Sequence, residues 1–154
     1  LICQNGVHAL RFIEHVAGTR IATIQALETS RGNQVPGGGL QVAASYMMQL
    51  ANGGVATAIA NYLNPKGFGS WGNEHVRIFG TLGFVESVDA GARTRLVLGD
   101  NDCGPLDIAA PAPDFFDAVL DHVDGRPSLP FDLESELHPT RMVIRAKAAA
   151  GALS

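Results

Sequence analysis

The sequence is short of the features that mark metal proteins, nucleic-acid binders and membrane proteins. It has two cysteines, Cys3 and Cys103, in unrelated segments and outside any metal-ligand spacing. Two isolated cysteines read as reduced thiols of a cytoplasmic protein rather than as a disulfide. The five histidines form no HxH or HxxxH pattern, and there is no CxxC, so no zinc site is expected. Eleven Lys and Arg stand against fifteen Asp and Glu, a net charge of −4 with no basic run. That balance excludes the positive patch that nucleic acid or an anionic membrane surface requires. There is no apolar run long enough to cross a bilayer and no signal-peptide pattern. A GxSxG nucleophile elbow is also missing. Gly37-Gly38-Gly39 and Gly67-Phe68-Gly69 stand at no strand-to-helix turn with GxGxxG or GxxxxGK[ST] spacing, so neither is expected to bind a dinucleotide.

What remains is an ordinary globular composition. With 154 residues, 46% hydrophobic and 17% charged, the chain is expected to form a single domain, 1–154, with a real core. Its light surface charge leaves room for a face that meets another domain or subunit. It starts at Leu1 without an initiator Met, which reads as a piece of a longer protein.

Helical spacing of Val7, Leu10, Ile13 and Ala17 predicts an amphipathic helix from about Val7 to Ala17, opened by Gly6 and stopped by Gly18. His8 then falls in its first turn, with Asn5 as a candidate N-cap. Strands are predicted at Arg20–Glu28, Ala43–Leu50 and Val55–Leu63, with a mobile loop over 29–40 and Asn52-Gly53 as the hairpin turn. His75–Phe79, Phe84–Val88 and Thr94–Leu98 read as a meander, with a weaker strand near Leu106–Ile108. Asp114 caps a helix over Phe115–Val123. Asp132 begins a last helix to about Ala150, which Pro139 should kink or split. Glu134, Glu136 and His138 read as its solvated first turn. The sum is α+β: about six mostly antiparallel strands with helices on one face.

The ordered set Gly6-x-His8, Asn52-Gly53-Gly54, Asn61-Tyr62-Leu63-Asn64-Pro65, Ser70-Trp71-Gly72-Asn73-Glu74-His75 and Asp124-Gly125-Arg126-Pro127 resembles the C-terminal domain of the glucose–fructose oxidoreductase / inositol dehydrogenase (Gfo/Idh/MocA) family. The resemblance spans nearly the whole chain. It implies an open-faced sheet whose free face pairs subunits into a homodimer or tetramer. It also implies that the dinucleotide-binding domain lies upstream of this chain. NAD or NADP is then expected in the intact protein and no cofactor in this chain, which alone should be inactive.

Two roles stand beside each other for His8: a helix-start histidine bonding a backbone carbonyl, or a general acid/base titrating near neutrality. The resemblance favours the second, because the family's motif pairs an aspartate with a histidine four residues later. Here the aspartate position is Gln4, which can hydrogen-bond a hydroxyl but cannot ionise. The family's Glu-Lys-Pro lysine has no counterpart here. Gln4 and Asn5 are candidate substrate contacts, Asn5 serving equally well as a cap. Tyr62, Asn64, Lys66, Trp71 and His75 surround a glycine-rich loop and either hold a sugar or polyol or pack against the sheet, with Trp71 the more structural of them. The expected function is substrate binding and oligomerisation within an NAD(P)-dependent oxidoreductase acting on a sugar, polyol or related hydroxy compound. The alternative is a non-enzymatic ligand-binding or assembly module.

Overall fold

A computed structural model describes residues 1–69, 71–111, 114–126 and 132–151; Ser70 and Pro127 of the motifs above lie outside them. The chain divides into two compact units, Leu1–Asn64 with Leu129–Ser154, and Pro65–Ser128.

In the first unit, helix α1 spans Ile2–Ala17. It begins five residues before the expected start at Val7, because the buried stripe is Ile2, Gly6, Leu10 and Glu14, one residue per turn. Gly6 therefore lies inside the helix. A β-carbon there would sit 2.5 Å from Tyr46 Oη, so glycine is what lets the helix close onto the sheet. Gly18 ends α1 in the left-handed conformation (φ 59°), its N–H donating to the His15 carbonyl at 3.4 Å.

Strands β1 (Ile21–Thr29), β2 (Ala43–Leu50) and β3 (Val55–Asn61) form an antiparallel sheet in that order. The β2–β3 hairpin turns at Asn52-Gly53 as expected, with Gly53 at φ 88° and Asn52 Oδ1 accepting from the Gly54 N–H. The loop between β1 and β2, read as mobile, is knotted onto Asn33. That side chain donates to the Gly38 and Leu40 carbonyls and accepts from the Val35 N–H.

Helix α3 (Leu133–Gly151) starts on Asp132, whose Oδ1 accepts from the Ser135 N–H at 2.8 Å. Of the expected kink or split at Pro139, the split does not occur: the helix is continuous through it. One backbone bond is lost, and burial of Pro139, Met142, Val143 and Ala146 on a single stripe offsets it. Helices α1 and α3 cover one sheet face, and Tyr46, Ile2, Leu10, Ile21 and Met142 form the core between them. No described residue of this unit covers the other face, which Leu27, Met47, Val55 (83% exposed) and Ile59 (76%) line.

The second unit holds a four-stranded antiparallel sheet, β4 (Val76–Gly80), β5 (Gly83–Val88), β6 (Arg93–Leu98) and β7 (Asn101–Gly104), with helix α2 over Phe115–Val123. Asp114 caps α2, accepting from Phe116 N–H at 2.7 Å. The last strand is Asn101–Gly104 rather than Leu106–Ile108. Gly99, at φ 54°, turns the chain tightly enough for Asn101 to pair Leu98. The Leu106 N–H instead bonds the Thr94 hydroxyl at 2.9 Å. The architecture is the expected α+β; the described residues form seven strands in two open antiparallel sheets, where about six strands in one sheet were expected.

Candidate functional site

The expected site residues divide between the two units. In the first, Gln4 and His8 are both exposed on α1, one turn apart and so on one face. Because the helix starts at Ile2, His8 sits in its second turn rather than at its entrance, and Asn5 is not the N-cap. Asn5 is a half-buried interior residue whose N–H donates to the Leu1 carbonyl at 3.1 Å. Tyr62 follows β3, held by its N–H on the Val42 carbonyl at 2.9 Å. It continues the row of Ala56, Ala58 and Ala60, the half-buried side of β3, and its hydroxyl donates to Gln4 Oε1 at 3.4 Å. The small alanines are what let α1 come close enough for that contact. Asn64 is exposed just beyond.

In the second unit, Lys66 opens one turn of 3₁₀ helix (Lys66–Phe68), and Trp71 is 89% exposed. His75 stands immediately before β4, its Nε2 3.9 Å from Glu86 Oε2. Glu86 is paired with Arg77 across β4 and β5. The Arg77 guanidinium holds its carboxyl below the usual range, with smaller help from His75 and Arg95.

Sequence reading missed the buried polar network of the first unit. Glu14, 8% exposed, accepts from the Ile21 N–H at 2.8 Å and meets His138 Nδ1 at 2.7 Å, joining α1, β1 and α3. Glu136 pairs with Arg11 at 2.6 Å. His138 and Glu136 are thus not simply solvated, whereas Glu134 pairs with Arg141 at the surface. The Tyr46 hydroxyl is buried without a hydrogen-bond partner among the described residues, and Glu28, which pairs with Lys147, lies near it. Burial first, then the charges of Glu28 and Cys3, push the Tyr46 phenol up to about 12. Nothing in the local sequence signals these pairings. Only the i, i+4 position of Glu14 on the buried stripe could have hinted at one.

No described helix is long and apolar enough to cross a membrane, and the described residues form no cluster of three or more metal-ligating side chains. Gly37–Gly39 lies between two strands and Gly67–Gly69 around the 3₁₀ turn. Neither leads into an α-helix whose N-terminus could take a pyrophosphate, so these residues do not fit a dinucleotide.

No family model matches the sequence, and no curated protein is similar to it. Solved structures are. A Thermotoga maritima protein described as an oxidoreductase superposes with a TM-score of 0.82 over 97% of this chain at 22% identity. An aldose–aldose oxidoreductase from Caulobacter crescentus, complexed with glycerol, gives 0.73 over 97% at 20% identity. A biliverdin reductase from Synechocystis, complexed with biliverdin and NADP⁺, gives 0.67 over 95% at 18% identity. The fold is that of the Gfo/Idh/MocA C-terminal domain. This chain spans only 44%, 44% and 45% of those three chains, less than half of each. The likeness is one of fold, to part of longer oxidoreductases, at least one of which carries a nicotinamide cofactor.

Proposed function

We propose that this chain is the substrate-binding and subunit-pairing domain of a nicotinamide-dependent oxidoreductase acting on a sugar, polyol or related hydroxy compound. The observation that carries the reading is the superposition on oxidoreductases over 97% of the chain. On this reading the dinucleotide is held by a separate domain. This chain supplies a wall of the pocket from Gln4, His8 and Tyr62, with Asn5 behind them. Asn64, Lys66, Trp71 and His75 are proposed as further substrate contacts. Proton transfer to or from a substrate hydroxyl falls to His8, exposed on the same face of α1 as Gln4. The uncovered face of β1–β3 is proposed to pair with a second copy of the chain as a homodimer or tetramer, in a cytoplasmic protein.

A second reading is favoured by Gln4 itself. A carboxamide cannot serve as a base or balance an imidazolium, which suits a ligand-binding or assembly module without chemistry.

The test is titration of the ¹⁵N-labelled chain with a panel of sugars, polyols and hydroxy acids. The enzyme and ligand-module readings both expect millimolar ligands to move the Gln4, His8 and Tyr62 signals. Silence of all three throughout the panel removes the binding site. Isothermal titration with NADP⁺ should give no heat of binding, and tight binding would contradict the division of labour.

A further inference from the structure

We propose that the core of the first unit holds a built-in site for one water molecule, bridging the Tyr46 hydroxyl on β2 and Glu28 Oε2 on β1. The inference is independent of the ligand site proposed above. Its basis is that both oxygens are buried without a hydrogen-bond partner among the described residues. Tyr46 is 1% exposed, and the Glu28 side chain 11%. Buried oxygens are rarely left dry, and ordered water satisfies them where no protein group reaches.

The sheet register brings the two together. Tyr46 pairs with Ala26 and Glu28 with Ala44, so the two long side chains are diagonal neighbours on the helix-covered face. Ala26 and Ala44 form the other diagonal; both are buried and too short to fill the space between their larger neighbours. On the helix side the residue against the phenol is Gly6, with no side chain to supply a partner. Neither oxygen is free to seek the other. The Tyr46 ring is wedged against Gly6, and Glu28 is anchored through Oε1 by Lys147.

Water suits the chemistry of both groups. The carboxylate only accepts, so the water donates to Glu28 Oε2. The phenol can donate to the water or accept its second hydrogen, and either arrangement completes the bridge. The Leu1 nitrogen, 4.0 Å from the same Oε2 and beyond a direct bond, offers a third group to the water. An anion would be repelled by Glu28, and Lys147 already balances that charge, so the guest is neutral.

The direct test is a crystal structure of the full chain at a resolution that shows ordered water, which needs no variant. We expect one water within about 3.2 Å of both Tyr46 Oη and Glu28 Oε2. The two oxygens bonded to each other, each bonded to a separate group, or both standing dry would overturn the inference. In solution, ¹⁷O relaxation dispersion counts long-lived internal waters without interference from exchanging hydroxyl protons. Tyr46→Phe combined with Glu28→Met removes both partners and nearly keeps their bulk, with a dispersed spectrum confirming the fold. The wild type should hold one more long-lived water than this variant, whose apolar site stays dry. An equal count in the two folded proteins overturns the inference.

Discussion

Gly6 of α1 lies directly against the hydroxyl of Tyr46 on β2: a β-carbon at position 6 would stand 2.5 Å from Tyr46 Oη and 3.1 Å from Cζ. Two opposed effects meet there. Alanine is a better helix residue than glycine by about 1 kcal/mol, but overpacking a buried ring costs about 1–3 kcal/mol. Tyr46 is 1% exposed and has little room to yield, so Gly6→Ala should destabilise the chain in urea, by up to about 2 kcal/mol. In a Tyr46→Phe background the nearest atom is gone, and the same substitution should cost less than half as much. A double-mutant cycle without coupling would show that this close approach does not determine the residue at position 6.

Tyr46 also makes stability depend on alkaline pH. Its phenol is raised from 10.0 to about 12 in the fold, so the folded state keeps a proton that the unfolded chain releases. The contribution is whole below pH 10 and is lost as pH climbs from 10 toward 12, at most about 2–3 kcal/mol. The chain has two tyrosines, so Tyr62→Phe leaves Tyr46 as the sole phenol. Its absorbance at 295 nm should rise with a midpoint near 12 while folded and near 10 in denaturant. A folded midpoint at 10 would refute it.

The buried Glu14 carboxylate should be the most costly polar group to remove. Glu14→Ala strands the Ile21 N–H and leaves His138 without its acceptor, at about 3 kcal/mol. Glu14→Gln retains an oxygen for Ile21 and should lose roughly half of that. Thermal unfolding of the two variants checks the order, and equal losses would show that the oxygen retained for the Ile21 N–H contributes nothing.

Pairing of subunits through the β1–β3 face can be checked with one lysine. Ile59, 76% exposed, stands on the edge strand β3 of that face, opposite Ser45 of the central strand. Ile59→Lys should move the light-scattering mass toward a monomer while altering stability by no more than about 0.5 kcal/mol. A wild-type chain that is strictly monomeric at high concentration would remove the proposed interface.

Much of the secondary structure was legible because its signals are local. Alternation marks the strand beginning at Val55, Asn52-Gly53 marks the hairpin, Gly18 stops α1, and Asp114 caps α2. The misreadings came where a distant partner overrides a local sign. Gly6 looks like a helix opener until Tyr46 is seen to occupy the space its side chain would need. Asn101-Asp102 has poor strand propensity, yet β6 accepts it, with Arg95 reaching Asp102 at 2.6 Å. His138 looks solvated until Glu14 arrives from the other helix.

By itself the sequence determined the α+β class, most element boundaries and the alternation of the β3 side chains. These depend on contacts within a turn or between adjoining strands, which periodicity and turn chemistry encode directly. Only the tertiary structure decided that Tyr62 meets Gln4 across 58 residues and that His138 meets Glu14 across 124. It also separated the strands into two sheets. Such pairings follow from how faces pack, and many arrangements of the same amphipathic elements would satisfy the local pattern equally well.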